Sequence, residues 1–327
     1  MSMRRIAVIG AGAWGTALAI QAARAGAEVS LWARDPGRAA AMRAARENAA
    51  HLPGHRLPDA IAVTADPAAA LSGAELALLV VPAQHMATTL EGFPRLPPAL
   101  VAAKGVTARG LHLPLETLAL ARPGLPAGVL SGPNFAAEVA AGLPAAAVVA
   151  GLPPELREQA IAALATPAFR LYGQDDAVGA QVGGAAKNVI AIAAGAVMGA
   201  GLGENARAAL VTRGIAEIGR LALALGGRAE TVAGLSGLGD LLLTCTGPGS
   251  RNFSLGFALG QGRPLGEILA ERNSVTEGVA TAPALLARAR AAGVEMPIAA
   301  AVAELLEGRH DVPAAVRGLM ARPLRDE

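Results

Sequence analysis

The first 173 residues alternate short β-branched runs with Ala-rich segments, and this alternation constrains the fold more than any other feature. A repeat of strand, helix and strand folds into a mostly parallel sheet covered by helices on both faces. The predicted strands are Ile6–Ile9, Glu28–Ala33, Ile61–Thr64, Leu76–Val81, Leu100–Ala103, Gly128–Leu130, Ala146–Val149 and Phe169–Tyr172. We therefore predict an α/β fold with an N-terminal doubly wound sheet.

From Gln174 onward the strand-like runs stop, and the remaining chain shows only helical spacing. This change predicts a domain boundary, with residues 1–173 in the first domain and an all-helical domain in 174–327. The predicted helices are 177–199, 204–225, 229–242, a segment after Ser250, 278–292 and 299–307.

A glycine-rich loop follows the first predicted strand, in the stretch IAVIGAGAWGTALA. Gly10, Gly12 and Gly15 form the pattern G-x-G-x-x-G between that strand and a helix. The first glycine permits a tight turn, the second lets the backbone approach a pyrophosphate, and the third allows close packing of helix on strand. A turn without a ligand is the alternative, but the context favours a Rossmann-type dinucleotide-binding domain.

The end of the second predicted strand bears on the choice of cofactor. Arg34 stands where sites for NAD commonly carry an acidic residue, and Asp35 follows it. A guanidinium suits a 2′-phosphate, which favours NADPH with NADH possible. In the alternative, Arg34 is solvated and Asp35 binds the ribose.

Three further turns should reach the same crevice, because ligands bind beyond the carboxyl ends of parallel strands. These turns are residues 80–84, 102–105 and 131–135. Lys104 lies at the tip of an apolar strand and should point into the crevice, unless it is an ordinary exposed loop lysine.

Lys187 is the only charged residue between Asp176 and Glu204. Reduction of a ketone by hydride transfer needs an acid for the oxygen. The histidines are poorly placed for this role, and the single tyrosine has no lysine four residues later. Burial would lower the lysine pKa from about 10.4 and make Lys187 a usable acid. A snorkelling or ion-paired core lysine is the alternative.

A second polar cluster lies within residues 234–256. Asp240 and Thr244 are four residues apart and share a helical face. Ser250, Arg251 and Asn252 follow a Gly-Pro-Gly bend and supply donors suited to a phosphate or carboxylate. With a nucleotide domain and a lone lysine, the cluster indicates a substrate-anion site rather than a solvated cap.

Composition excludes several classes of protein. The chain is 53% hydrophobic, but it is rich in Ala, and the run 177–203 also holds polar residues, so a buried core helix is favoured over a membrane span. Net charge is +2 with scattered Arg, which gives no indication of nucleic-acid binding. The single cysteine, Cys245, excludes an internal disulfide and a multi-cysteine zinc site. No signal-peptide pattern is present, so we expect a cytoplasmic protein.

These motifs together resemble those of the bacterial NAD(P)-dependent glycerol-3-phosphate dehydrogenases. The matching stretches are GAGAWGTALA, AAKG, SGPNFAAEVAAGLP, GGAAKNVIAIAAG, ARAALVTRGIAEI, GLSGLGDLLLTCT, SRN, TEG and GVEMPI. The resemblance implies reversible reduction of dihydroxyacetone phosphate to sn-glycerol 3-phosphate, supplying phospholipid synthesis, by a homodimer.

The resemblance also implies roles for individual residues. Lys187 is implied as the proton donor and acceptor, with Lys104 and Asp240 holding the reacting oxygen and that lysine. The expected substrate contacts are Lys104, Gly132, Asn134, Lys187, Asn188, Asp240, Thr244, Ser250, Arg251 and Asn252. The expected cofactor contacts are Gly10, Gly12, Ala13, Trp14, Gly15, Arg34, His51, Lys104, Ala136, Arg251, Val275 and Glu277. No metal is expected.

Two rival functions remain open at this point. A β-hydroxyacid dehydrogenase on the same architecture would carry an Asn four residues after the catalytic lysine, where this chain has Ala191. A non-enzymatic dinucleotide sensor would need neither Lys187 nor the cluster 250–252.

Overall fold

The structure, a computed structural model, describes residues 3–272 and 276–323. The chain divides into two compact units. The first comprises Met1–Lys104 and His112–Ala180, and the second comprises Gly105–Leu111 and Gln181–Glu327.

The first unit is built on an eight-stranded sheet with the strand order β10-β9-β8-β7-β6-β1-β2-β5. All neighbouring strands are parallel except β8 and β9. The strands are β1 Arg5–Ile9, β2 Glu28–Trp32, β3 Glu47–Asn48, β4 Leu52–Arg56, β5 Ile61–Thr64, β6 Leu76–Leu79, β7 Ala99–Val101, β8 Ala127–Ser131, β9 Ala145–Ala150 and β10 Phe169–Gln174. The predicted doubly wound α/β fold is confirmed, because all eight predicted runs lie in this sheet.

Sequence reasoning missed the separate antiparallel pair of β3 and β4. Its second strand reads LPGHR, which contains no β-branched residue and includes a proline and a glycine, so no strand pattern is visible there.

Helices cover the sheet, and prolines or aspartates mark where several of them begin. Pro36 and Pro67 occupy the first turns of α2 and α3, and the preceding Asp35 and Asp66 cap those helices through their carboxylates. The helices of the first unit are α1 Ala13–Arg24, α2 Pro36–Ala45, α3 Pro67–Leu71, α4 Met86–Glu91, α5 Pro114–Ala121, α6 Ala136–Ala141 and α7 Pro154–Leu164, with a 3-10 turn at Ala83–His85.

The chain from α8 onward is helical in the part that the structure describes. Its helices are α8 Ala177–Gly199, α9 Gly203–Ala224, α10 Ala229–Ala233, α11 Asp240–Cys245, α12 Arg251–Gly260, α13 Leu265–Ala270, α14 Glu277–Ala291, α15 Pro297–Leu306 and α16 Val312–Met320. The single helix predicted at 229–242 is wrong. A π-helical turn, Leu235–Gly239, separates α10 from α11, because Gly237 lies so close to the Val232 carbonyl that a Cβ would stand 1.9 Å from its oxygen.

Helix α8 is the core helix of the second unit. It is long and apolar enough to cross a membrane, yet 89% of its most apolar window is buried inside the protein. Residues 180–197 are all buried. Its apolar character is therefore explained by packing within the protein.

Four glycines let α8 and α12 cross at backbone contact. An added Cβ on any of them would lie 1.9–2.3 Å from a carbonyl oxygen of the facing helix. The four are Gly195 and Gly199 on α8, and Gly256 and Gly260 on α12. This crossing fixes the start of α12 relative to α8, and both regions carry predicted site residues.

A buried carboxylate joins α9 to the start of α15. Glu217, 3% exposed, accepts hydrogen bonds from the backbone amides of Ile298 (2.7 Å) and Ala299 (3.4 Å). Burial raises the pKa of Glu217 to about 7, although both amide hydrogen bonds and the charges of Arg220 and Arg322 act to lower it.

The α8–α12 crossing predicts a strong sensitivity to one methyl group. Gly195→Ala should destabilise the protein by about 3 kcal/mol, because the clash is with backbone that cannot rotate away. The matched control is Gly219→Ala in α9, where no atom lies within 4 Å of the added Cβ; it should be neutral or stabilising by up to about 1 kcal/mol. Denaturant unfolding of both variants measures the difference, and equal effects would contradict the close crossing.

The Glu217 site predicts a pH-dependent stability. Because its folded pKa of about 7 lies above the ordinary value of 4.5, the folded state keeps a proton that the unfolded state has lost, and stability falls as pH rises through this window. The free energy of unfolding of Glu217→Gln, compared with that of the wild type by denaturant unfolding, should therefore rise by up to about 3 kcal/mol as the pH is raised from 4.5 to 7. Glu204→Gln, an exposed carboxylate on the same helix, is the control and should show no such trend.

Candidate active site

The glycine loop of the first unit has the shape of a phosphate cradle. Gly10 has φ +117°, and a Cβ there would lie 2.9 Å from the Val80 carbonyl oxygen. A Cβ on Gly15 would stand 1.8 Å from the Gly10 oxygen, so the loop and α1 are in direct backbone contact. A Cβ added to Gly12, in contrast, would meet no atom within 4 Å beyond its chain neighbours. This open space at the start of α1 fits the pyrophosphate of a dinucleotide, which would meet the helix N-terminus there.

Side chains support this loop from behind. The Ala11 carbonyl accepts hydrogen bonds from Arg38 Nη2 and Asn48 Nδ2, both at 3.0 Å. Asn48 also donates to Thr16 Oγ1 at 2.7 Å, and Arg38 Nη1 lies 2.8 Å from His51 Nε2. Sequence reasoning named His51 but missed Arg38 and Asn48, because no local pattern connects them to the glycines.

The two charged residues after β2 differ in what they contact. Arg34 is exposed, beyond the carboxyl end of the strand. Asp35 caps α2, with its Oδ1 accepting from the Arg38 amide at 2.6 Å. One carboxylate oxygen of Asp35 is therefore already bound, whereas the Arg34 guanidinium faces solvent.

Other predicted residues of the first unit lie at the same sheet edge. Lys104 follows β7 and donates to the Gly132 carbonyl after β8, at 3.3 Å. Asn134 donates to the Ala146 carbonyl at 3.2 Å, and its buried Oδ1 has no hydrogen-bond partner. Ala136 begins α6, just as Ala13 and Trp14 begin α1. An acceptor without a donor at this edge is suited to a ligand donor.

The central feature of the second unit is a buried ion pair. Lys187 Nζ lies 2.5 Å from Asp240 Oδ1 and donates to Thr244 Oγ1 at 2.9 Å. The threonine hydroxyl in turn donates to the Asp240 carbonyl at 2.6 Å. The lysine side chain is 11% exposed and the aspartate side chain 0%. Lys187 is thus not isolated among apolar groups, and the cation is the partner that a small ligand can reach.

The π-helical turn and a glycine bring the two charges together. Gly183 lies one helical turn before Lys187, and a Cβ there would stand 2.6 Å from the Ser236 carbonyl oxygen in the π turn. Asp240 follows that turn directly and begins α11. Gly183 therefore admits the backbone that carries the counter-ion of Lys187, and π turns are often found at functional sites.

A closed set of amide hydrogen bonds lies next to the ion pair in sequence. The Gly278 amide donates to Asn252 Oδ1 at 3.0 Å, and Asn252 Nδ2 donates to Asn188 Oδ1 at 2.9 Å. Asn188 Nδ2 then donates to Glu277 Oε2 at 3.3 Å. Three predicted ligand contacts are thereby joined in one network. Val275, the remaining predicted contact in this region, lies outside the described residues.

The start of α12 is a site of positive potential. Ser250 caps the helix by accepting from the Phe253 amide at 3.2 Å, and Arg251 is exposed at the first helical position. A helix N-terminus and an exposed guanidinium both favour an anion.

Arg272 adds a second cation beside this helix start. Its guanidinium donates to the Arg251 carbonyl at 2.8 Å and to Ser254 Oγ at 3.1 Å. Burial lowers the pKa of Arg272, and the neighbouring Arg251 and Arg263 lower it further. Clustered cations of this kind suit a phosphate or carboxylate.

Two other chemistries receive no support within residues 3–272 and 276–323. No three His, Cys, Asp or Glu side chains there are placed to share a metal ion. Cys245 is buried, and burial raises its thiol pKa to about 12, so the thiolate needed for nucleophilic attack is not formed near neutral pH.

Comparison with known proteins gives a consistent result along the chain. Residues 5–156 match the profile of the NAD-dependent glycerol-3-phosphate dehydrogenase N-terminus, and residues 176–317 match that of the C-terminus. The chain is 56% identical to a glycerol-3-phosphate dehydrogenase (NAD(P)+) of Acidiphilium cryptum, with 98% of each chain covered. For the relative in Rhodospirillum rubrum, identity is 53%, covering 98% of this chain and 93% of the relative. A solved glycerol-3-phosphate dehydrogenase from Coxiella burnetii superposes with a TM-score of 0.94 at 37% identity, covering 98% and 99% of the two chains.

The buried ion pair predicts a strong energetic coupling. Lys187→Met should destabilise the protein by about 3 kcal/mol or more, because it leaves a buried carboxylate without its cation. Adding Asp240→Asn should recover much of this loss. The same cycle at the exposed Arg5–Glu28 pair is the control and should give a coupling below about 1 kcal/mol. Similar coupling at both pairs, measured by denaturant unfolding, would argue against a buried ionised pair.

Proposed function

The chain belongs to the NAD-dependent glycerol-3-phosphate dehydrogenase family, and from this premise we propose how its residues divide the reaction. It is an oxidoreductase that interconverts dihydroxyacetone phosphate and sn-glycerol 3-phosphate with NAD(P)H. We assign cofactor binding to residues 1–173 and substrate binding to residues 174–327.

The cofactor is held by the glycine loop and by Arg34. The open space above Gly12 accommodates the pyrophosphate, and the exposed guanidinium of Arg34 binds the 2′-phosphate of NADPH. The role of Asp35 as a helix cap supports this assignment, because it leaves one carboxylate oxygen fewer for the ribose of NADH. NADPH is the preferred cofactor in this proposal, and NADH remains usable. His51, Ala13, Trp14, Ala136, Val275 and Glu277 complete the proposed contacts.

The substrate phosphate binds at the start of α12. Arg251 supplies a guanidinium, Ser250 a hydroxyl, and Asn252 the amide hydrogen that it does not use toward Asn188. Binding energy from this non-reacting end orients the carbonyl at the other end. Lys104, Gly132 and Asn134 are further proposed substrate contacts.

Lys187 transfers the proton. A nicotinamide cofactor, when bound, would supply the hydride chemistry at C2 of the ketone in either direction. As negative charge develops on the oxygen, the Lys187 ammonium donates a proton to it, and in the reverse direction the neutral amine takes the proton back. Asp240 and Thr244 hold the ammonium in one position, and this buried, oriented cation is the observation that carries the proposal.

The cellular setting is a further part of the proposal. We propose that the protein is a cytoplasmic homodimer whose sn-glycerol 3-phosphate supplies phospholipid synthesis. The family membership supports the supply of sn-glycerol 3-phosphate, since this compound is a product of the reaction.

One spectrophotometric assay tests the proposed function. Purified protein should oxidise NADPH with dihydroxyacetone phosphate, and dihydroxyacetone without the phosphate should be turned over at least about 100-fold less efficiently, because the α12 contacts are lost. Lys187→Met should lower kcat by about 1000-fold or more while leaving the Kd for NADPH within about twofold. Equal activity on the unphosphorylated ketone would reject the phosphate site, and substantial kcat in the variant would reject Lys187 as the acid.

A further inference from the structure

We propose that Arg38 is a positioning residue for the dinucleotide: it holds the Ala11 carbonyl so that the Gly12 amide is aimed at the bound pyrophosphate. This inference rests on the proposed function, since it concerns how the same cofactor is bound. It adds a residue that does not itself contact the ligand.

The contacts of Arg38 are directed toward the protein. Nη2 donates to the Ala11 carbonyl at 3.0 Å, and Nη1 lies 2.8 Å from His51 Nε2. The Nε atom is buried and has no hydrogen-bond partner. One N–H of each terminal nitrogen is thus engaged with the loop or with His51, so the protein itself orients the guanidinium.

Peptide geometry converts this contact into an effect on the ligand. In a trans peptide the C=O and the N–H of the same unit point in opposite directions. Arg38 and Asn48 hold the oxygen of the Ala11–Gly12 peptide from behind, so its N–H points away from them. A Cβ added to Gly12, the residue that carries this N–H, would meet no atom within 4 Å beyond its chain neighbours, so the loop is open beside it.

Charge strengthens the same arrangement. A cationic donor on the carbonyl polarises the peptide and makes its N–H a better donor. The Arg38 charge therefore polarises the Ala11–Gly12 peptide and strengthens the hydrogen bond that its N–H would donate to the pyrophosphate. Asn48, a neutral donor at the same distance, contributes orientation but no net charge.

Arg38 also contacts His51. A guanidinium has donors only, so His51 Nε2 accepts in this contact. The imidazole, itself a proposed cofactor contact, is thereby held by Arg38.

The proposal separates Arg38 from Arg34. Arg34 is exposed and reads the 2′-phosphate, so Arg34→Met should weaken NADPH alone. Arg38 acts on the pyrophosphate, which both cofactors share. Arg38→Met should therefore raise the Kd for NADPH and for NADH by a similar factor, about tenfold, with kcat at saturating cofactor and the substrate KM little changed.

Binding titrations with NADPH and NADH test this on the purified protein. Arg43→Met is the matched control, because Arg43 also lies on α2 and donates to a backbone carbonyl, that of Val63, which is not in the loop. It should leave both Kd values unchanged. Arg38→Lys keeps the charge but loses the fork, and it should restore part of the affinity for both cofactors; it is also the variant to measure if Arg38→Met does not fold.

A second measurement needs no cofactor. In the free protein labelled with ¹⁵N-glycine, the Gly12 amide proton should shift upfield in Arg38→Met and remain close to its wild-type position in Arg43→Met, because the polarising cation is gone in the first only.

The outcomes are distinguishable. Unchanged Kd values for both cofactors, a loss confined to NADPH, or an unmoved Gly12 resonance would each overturn the positioning role while leaving the dehydrogenase proposal intact. Failure of the wild-type protein to bind either cofactor would instead overturn the proposed function.

Discussion

The second unit depends on the burial of one ammonium. An unpaired charge on α8 would be expensive in a helix whose residues 180–197 are all buried, so its surroundings must deliver a carboxylate to it. The π turn and Gly183 bring the two side chains together, with Asp240 Oδ1 2.5 Å from Lys187 Nζ. The pair that makes the helix compatible with burial therefore includes the residue that we propose as the acid.

The composition of the chain follows from how its helices pack. Only 2% of residues are aromatic, and 40 are glycine. At the α8–α12 crossing, glycines allow the two backbones to contact each other directly, without side chains between them. The approach is about as close as that at Gly15 in the glycine loop, where an added Cβ would also lie about 2 Å from a carbonyl oxygen. Helices held at this distance have few ways to shift, which suits a site whose donors must be aimed precisely.

The sequence predicted the sheet well because each of its eight strands carries a β-branched or apolar run between turns. It predicted the second unit less well. The spacing of residues 229–242 predicts one continuous helix, whereas the structure has a π turn there. This break arises from the contact of Gly237 with the Val232 carbonyl, which no local sequence pattern indicates. Lys187 was identifiable as a lone charge, whereas Arg38 was not, because its meaning comes from contacts with Ala11 and His51 that no spacing rule encodes.

Arginines in this chain fall into two groups that composition cannot separate. Arg38 and Arg272 donate to backbone carbonyls, of Ala11 and Arg251 respectively, and so hold the backbone at a place where an anion is expected. Arg34 and Arg251 are exposed; Arg34 lies four residues before Arg38, and the Arg251 carbonyl accepts from Arg272. A rigid guanidinium fork can fix a carbonyl and still raise the local potential. In the function proposed above, each unit therefore pairs one arginine that orients the backbone with an exposed arginine that would bind a phosphate.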